Sequence, residues 1–357
     1  MLERVAPPLI IALGCVALWL APDPKGLASD RGISRRAEVI AVDDSKLSKH
    51  GLVEYGTQYL EVKLSDGSLR RAENELRAQA ELDKKFSVGD TALVVGDGET
   101  LTARDHWRLG WACGLFAAFS LLLVVFGGWT GAKALFSFLF SCLAVWKLLI
   151  PLTLSGWSAA WTAFATVAVL TAVIMYLVAG WTKKGLSAFA GAMLGVFASL
   201  ALAFFTSDVM NVNGMTMPYA PALLYSGYEF LDLADIFNGA VILASSGAVM
   251  DLAMDIAAGV DEVARHNPSL NRRELFASGL RMGRAVVGTM TTTLLLAYSG
   301  GYLTLLMVFA AQGTSPLDFL NSTLVSAELV KTLVGSFGLV LVAPFTAAVS
   351  AAVSRRG

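Results

Sequence analysis

Two aspartates, Asp251 and Asp255, interrupt the small apolar run GAVMDLAMDIAAGV. Residues four apart lie on one face of a helix, so the two carboxylates would stand one turn apart. An ionised aspartate that faces lipid near the membrane centre costs about 2.5–3.5 kcal/mol. The spacing therefore predicts that a cation lies between the carboxylates, that a basic group pairs with them, or that one carries a proton.

The same helical face contains Ala240, Ala244 and Gly247 before the two aspartates. Small residues allow a second helix to approach closely in a bilayer. We therefore expect this face to be turned towards the interior of a helix bundle, with the carboxylates sheltered from lipid. Glu262 follows on the same face near the end of the run and is a weaker candidate.

The next apolar segment supplies candidate partners in the sequence RMGRAVVGTMTTT, namely Arg284, Thr291 and Thr292. We expect Arg284 to pair with Glu262 or Asp255, and Thr291 to lie about 10 Å deeper. Carboxylate and threonine oxygens together suit a proton relay or a hard cation whose identity the pattern leaves open. The alternative is packing alone, because intramembrane threonines commonly bridge helices.

Other polar residues in apolar segments are weaker site candidates. Glu328 and Lys331 stand three residues apart, so an ion pair within one helix explains them. Asp235 and Asn238 stand where the acidic helix begins, and Asp232 or Asp235 is expected to cap it.

The composition indicates a polytopic α-helical membrane protein. Of 357 residues, 55% are hydrophobic and 15% are charged, whereas soluble domains have about 25% charged residues. The mean hydropathy is +0.62. A spanning helix needs about 20 mostly apolar residues, and about eight segments qualify: 5–22, 107–127, 131–153, 157–181, 185–206, 236–261, 282–311 and 325–353. Residues 1–22 are predicted to be a retained anchor, with a cleaved signal peptide as the alternative, and residues 107–353 a seven-helix domain.

Basic residues predict the orientation. Lys and Arg cluster in the connections at 181–185 and 262–283 and in the C-terminal tail, whereas 154–156, 207–235 and 312–324 contain none. Basic loops stay in the cytoplasm. We therefore expect both termini to be cytoplasmic and residues 23–106 to be extracytoplasmic.

Residues 33–105 are predicted to form a small β domain of OB or SH3-like type between the first two helices. The stretches RAEVIAVDD and YLEVKLSDG alternate polar and apolar residues, and the second ends in an Asp66-Gly67 turn. Residues 69–84 favour a helix by propensity, but a charged edge strand or hairpin fits as well. The domain would serve as a spacer or folding platform, or bind an extracytoplasmic protein.

Several functions lack a sequence signal. The basic residues form no clustered face for nucleic acid, and the histidines and cysteines are too scattered for a zinc site or a histidine-based triad. No G-x-S-x-G, H-E-x-x-H or P-loop motif is present. We therefore expect no enzyme and no cofactor, and as partners the bilayer, a small ion or proton, and a second copy or an extracytoplasmic protein.

Three blocks, GAVMDLAMDIAAGVDEV, NPSLNRRELFASGLRMGR and VVGTMTTTLLLAYSGG, closely resemble the YibE/F-like family of bacterial membrane proteins. The resemblance covers most of the chain, including the early β segment, and implies a polytopic inner-membrane protein without a defined substrate. The acidic helix, the following Gly-Arg and the Thr-Met-Thr-Thr run also resemble paired helices of resistance-nodulation-division and SecD/SecF-type proteins, over about 60 residues. Proteins of that kind use intramembrane aspartates for proton-coupled work.

The leading hypothesis is therefore a transporter or a proton- or cation-coupled membrane machine that uses Asp251 and Asp255. The alternative is a non-transporting assembly or sensor protein, in which the β domain binds a partner and the intramembrane acids only hold helices together.

Overall fold

The computed structural model describes Val16, Trp19 and residues 33–79 and 82–353. These form two compact units, which divide between Phe126 and Gly127. The predicted first span, 5–22, lies outside the described residues apart from Val16 and Trp19.

The first unit contains a β-barrel. Its strands are β1 (Ser34–Asp43), β2 (Leu47–His50), β3 (Val53–Leu64), β4 (Leu69–Arg77), β5 (Thr91–Val95) and β6 (Thr100–His106). The sheet order β1-β5-β6-β4-β3 closes through a further pairing of β1 with β3, and only β4 and β6 run parallel. This five-stranded closed ring, with β2 appended to β3, has the topology of an OB-type barrel.

Strand β4 accounts for residues 69–77 of the ambiguous stretch at 69–84. Ala72, Asn74 and Leu76 point into the barrel and alternate with exposed charged residues, which is the two-residue period of a strand. The strand is not at an edge, because it pairs with β3 on one side and β6 on the other. The two-residue alternation of apolar and charged side chains therefore predicts the structure of this segment better than the helix propensity of its residues. The predicted turn also forms, with Gly67 at φ 83° and the amide of Ser68 donating to Asp66.

A polar network crosses the otherwise apolar barrel core. The Gln58 amide group donates to the Phe86 carbonyl at 2.9 Å and to Asp44 at 2.8 Å, and its oxygen accepts from the Phe86 amide at 3.0 Å. Asn74 donates to the same oxygen at 3.0 Å. Burial acts to raise the pKa of Asp44, but hydrogen bonds from Lys85 and Gln58 hold that pKa below its ordinary value. The network fixes the β4–β5 connection against the barrel.

The rest of the chain is helical. The helices are α1 (Leu109–Ala144), a π-helical turn (Val145–Leu149), α2 (Ile150–Leu154), α3 (Ala159–Ala179), α4 (Lys183–Val209), α5 (Ala220–Tyr225), α6 (Leu233–His266), α7 (Arg272–Gly301), α8 (Leu303–Ala311), α9 (Pro316–Asn321) and α10 (Thr323–Val353). Asp232 accepts from the amides of Ala234 and Asp235 and so caps α6, as predicted.

Five described helical stretches are long and apolar enough to cross a membrane, or six if the bent pair α7–α8 counts as one. The predicted spans 107–127 and 131–153 fall in one stretch, Leu109–Leu154, in which Gly128 has non-helical φ and ψ of 54° and −129°. The predicted span 282–311 bends by 66° between α7 and α8. Helices long and apolar enough to cross a membrane are thus present among the described residues, whereas the number eight stays a prediction.

Glycines allow close contacts between the helices of the second compact unit, the helical unit, which begins at Gly127. A Cβ on Gly195 of α4 would lie 2.9 Å from Val342 of α10, and one on Gly283 of α7 would lie 2.7 Å from the Ala343 Cβ. Gly239 of α6 similarly abuts the Ala159 carbonyl of α3. Small residues at such crossings let helices pack in the absence of a hydrophobic driving force between them. They therefore fix the relative levels of α3, α4, α6, α7 and α10.

We expect Gln58→Leu to destabilise the barrel by about 1–3 kcal/mol, because it leaves both buried backbone groups of Phe86 without a partner. Glu61→Gln, at an exposed position of the same strand, is the control and should be neutral. Chemical unfolding of the purified full-length chain would measure the difference. Equal stability of the two variants would contradict the assigned role of the network.

We expect Gly283→Ala to lower the melting temperature of the detergent-solubilised chain. The added methyl would overlap the Ala343 Cβ, which cannot rotate away, and overpacking costs about 1–3 kcal/mol. Gly300→Ala, on the same helix with no atom within 4 Å of the new Cβ, should be neutral or slightly stabilising, because alanine favours helix. A Gly283→Ala protein that melts with or above the Gly300→Ala protein would refute this packing.

Candidate functional site

Helix α6 lies at the centre of the helical unit and packs against α3, α4, α7 and α10. Its large apolar residues fill the core, including Ile242, Val249, Leu252, Ile256 and Val260. These residues occupy the sides of α6 that its neighbours cover, so one side is left open.

The open face of α6 carries the acidic residues. Asp251 and Asp255 are exposed, as are Ala240, Ala244 and Gly247 on the same face. A Cβ on Gly247 would meet nothing within 4 Å. The expectation that this face is turned to the interior of the chain's own bundle is therefore wrong. The close helix contacts are made elsewhere, through Gly195 and Gly283, while Ala240, Ala244 and Gly247 of α6 are turned outwards.

Neither Asp251 nor Asp255 has a hydrogen bond or an ion pair with another described residue. The acids nearer the end of α6 are paired within the helix. Asp261 accepts from Arg265, and Glu262 lies 2.7 Å from the His266 Nε2. Asp251 and Asp255 thus differ from Asp261 and Glu262, because they have no partner among the described residues.

Contacts between helices give the depth of the two carboxylates. A Cβ on Gly195 would lie 3.2 Å from Val249, so these residues are level on the antiparallel helices α4 and α6. From Lys183, at the start of α4, to Gly195 the helix rises about 18 Å. Asp251 then lies about 15 Å from the level of Lys183 and Asp255 about 9 Å. In a hydrocarbon core of about 30 Å that began at the level of Lys183, the middle would fall at the level of Asp251.

Arg284 does not pair with Glu262 or Asp255 within the chain, so that prediction is wrong. Arg284 is exposed and makes no ion pair with the described residues. Tyr298 follows it at i+14 on the same face, and the Tyr298 hydroxyl would lie 3.6 Å from a Cβ on Gly335 of α10. Arg284 therefore lies on the exposed face of α7, at its border with α10 and away from the open face of α6.

The predicted threonines also lie apart from the aspartates. Thr291 shares the Arg284 face, and its buried hydroxyl has no partner among the described residues. Thr292 is exposed and donates to the Gly288 carbonyl at 3.0 Å. Neither hydroxyl is hydrogen-bonded to Asp251 or Asp255, although both were predicted next to them.

A different threonine, Thr289, lies on the side of α7 next to the open face. Met282 contacts Gly259 of α6, and Thr289 follows Met282 at i+7 on the same face. Met282 is level with Gly259 of α6, and Gly283 is level with Ile256. Because the two helices are antiparallel, counting on from either pair brings Thr289 level with residues 250–252, beside Asp251. Its hydroxyl donates to the Val286 carbonyl at 2.9 Å, which leaves the oxygen lone pairs free to accept. The TMTTT run alone could not single it out, because the choice depends on which face of α7 meets α6.

The weaker candidates form a second polar group at the other end of α6. Lys331 donates to Glu328 at 2.7 Å, as predicted, and its Nζ lies 5.6 Å from the centre of the Phe237 ring. Asn238 is 2% exposed, and its Oδ1 has no partner among the described residues. Asp235 accepts from the Ala160 amide at 3.4 Å, which places it at the start of α3. Asp235 is thus explained by structure, whereas the unpaired Asn238 is not.

An apolar groove beside the open face does not contain the carboxylates. It has a volume of about 370 Å³, lies between α2, α3, α5 and α6, and includes Leu149, Ala163, Leu223 and Ala240 in its lining. Within the described ranges, no three His, Cys, Asp or Glu side chains come together as a metal site. The chemistry available on the open face is therefore that of two carboxylates with a nearby hydroxyl, which can exchange protons or hold a hard cation.

Comparison with known proteins agrees with the helical layout. Neither the curated proteins nor the solved structures gave a match. The family model described as YibE/F-like protein matches residues 115–356. The matched range includes α6, α7 and their two polar groups but begins after the barrel, which therefore lies outside it, contrary to the broader resemblance seen in the sequence. Because the match covers most of the chain, the chain belongs to the YibE/F-like family.

Proposed function

We propose that this membrane protein is a proton- or cation-coupled transporter or membrane machine, with Asp251 as the exchanging carboxylate. The observation that carries the proposal is an aspartate with no partner among the described residues, on an open helix face and at a level that corresponds to about mid-membrane depth. A carboxylate in such a place is costly unless it is functional or neutralised from outside the chain. Asp255 lies one turn away and Thr289 beside it, so either can share a proton or a cation with Asp251.

The length of the first helical stretch supports the predicted orientation. Lys133 of α1 donates to the Leu177 carbonyl at 3.0 Å, and Leu177 lies in the last turn of α3. From Lys133 to Leu154 the helix rises about 32 Å, enough for one crossing. Residues 109–127 add about 28 Å before Gly128, which is a further crossing by length. Two crossings of this length support our proposal that the barrel is extracytoplasmic and that this is a bacterial inner-membrane protein with cytoplasmic termini.

The alternative function is a non-transporting assembly or sensor protein. It is supported by the barrel, which has its own apolar core and forms a compact unit with its own closed sheet. In that case the barrel binds an extracytoplasmic protein, and the intramembrane carboxylates serve assembly only. The two functions predict different effects of Asp251→Asn. Ion flux is reduced if Asp251 exchanges protons, and it is not reduced if the carboxylate serves assembly only.

We expect Asp251→Asn to reduce ion flux by about tenfold or more, because an amide cannot exchange a proton. Proteoliposomes containing a pH-sensitive dye would report proton entry driven by a membrane potential, with a sodium gradient as the second condition. Asp208→Asn, an exposed aspartate at the end of α4, is the matched control and should keep wild-type flux. Wild-type flux in both Asp251→Asn and Asp255→Asn proteins would exclude this site and favour the assembly function.

We expect Leu52→Cys, in a fully exposed turn of the barrel, to react with a membrane-impermeant maleimide in intact bacterial cells. Ser269→Cys, in the α6–α7 loop, should react only after the cells are permeabilised. Both variants are made in a chain whose natural cysteines, Cys15, Cys113 and Cys142, are replaced by serine. Labelling in the reverse order would overturn the orientation and with it the two-crossing assignment of residues 109–154.

A further inference from the structure

The outer face of α7 carries a basic stripe that no described residue neutralises. Arg281, Arg284, Gly288, Thr292 and Leu295 are all exposed and follow one another at helical spacing. A Cβ on Gly288 would meet nothing within 4 Å. The stripe resembles the open face of α6 in two respects. Both contain a glycine whose added Cβ would meet nothing within 4 Å, and both carry charged side chains that no described residue neutralises. The charges of the α7 stripe are positive, whereas those of the α6 face are negative.

The two stripes lie at the same level in the membrane. Gly283 of α7 abuts Ile256 of α6, and Gly279 abuts Val260, so one residue forward on α7 corresponds to one residue back on α6. Arg284 is thus level with Asp255, and Gly288 is level with Asp251. All copies of a membrane protein have the same orientation, so levels that match within one chain also match between neighbouring chains.

We propose that the chain forms a homo-oligomer in which the basic stripe of α7 in one copy packs into the open face of α6 in the next. Arg284 of one copy pairs with Asp255 of its neighbour. Gly288 lies opposite Asp251, where the absence of a side chain lets the two helices approach closely. The contact joins two different surfaces, so it is heterologous, and rotation about the membrane normal closes it into a ring.

Contact with a second copy of the chain explains more of the exposed charges and glycines of α6 and α7 than contact with lipid does. An arginine alone can extend to lipid phosphates, but Asp251 and Asp255 gain nothing from an anionic headgroup. A neighbouring copy neutralises an acid and a base in a single contact and covers Gly247 and Gly288 together. The assembly goes beyond the proposed function and does not depend on it, because Asp251 has no charged group opposite it and remains free to exchange protons in the ring.

Mass measurement of the full-length chain in lipid nanodiscs tests the charge pairing. We expect the wild-type chain to be oligomeric, and Arg284→Asp or Asp255→Arg each to weaken assembly by about tenfold or more, since each places like charges together. The double variant Arg284→Asp with Asp255→Arg restores the pair with its charges exchanged and should restore the oligomer. A monomeric wild-type chain, or single variants with wild-type mass, would overturn the proposal.

Cross-linking between differently tagged copies tests the docking face directly. In the cysteine-free chain, Ala244→Cys in one copy and Leu295→Cys in the other lie at the same level and should form a disulfide on oxidation in membranes. Ala201→Cys is the control, because it is exposed at a similar level on α4, across α6 from the open face. Failure of the Ala244–Leu295 pair to link, or equal linking of Leu295→Cys to Ala201→Cys, would overturn the assignment. Neither readout measures flux, so loss of assembly and loss of ion exchange can be distinguished.

Discussion

Close contact at glycine crossings is the constraint on which the helical unit depends. Gly195 brings α4 to within van der Waals distance of both α6 and α10, and Gly283 does the same for α7. Once these crossings are made, no helix can slide along its neighbour without overlap. The depth of every polar side chain in the bundle follows from them, and so does the identity of the α6 face that remains uncovered.

That uncovered face connects the chain's packing with its chemistry. In a soluble protein, exposed aspartates need no explanation, because water solvates them. In a bilayer the same exposure requires a proton, a cation or a basic neighbour. Asp251 and Asp255 differ here, since an arginine of equal depth exists for Asp255 on another face of the same chain. The two carboxylates therefore need not have the same role, although they lie one turn apart.

The sequence predicted what depends on local periodicity. Long apolar runs identified the long apolar helices, two-residue alternation identified the barrel strands, and a three-residue spacing identified the Glu328–Lys331 pair. It could not predict which face of α6 the other helices would cover. That depends on where distant glycines such as Gly195 and Gly283 meet α6. The small residues beside Asp251 were therefore assigned to a contact within the chain that the structure does not make, and Arg284 was given the wrong partner.

The parallel pairing of β4 with β6 has a consequence for biogenesis. Antiparallel neighbours such as β3 and β4 can pair as soon as both have been synthesised, but the ring stays open until β6 reaches β4. Strand β6 ends at His106 and α1 begins at Leu109. The residues that complete the barrel and those that begin α1 therefore leave the ribosome almost together. Only Trp107 and Arg108 separate the strand that closes the barrel from α1, so little chain is available as a linker between them.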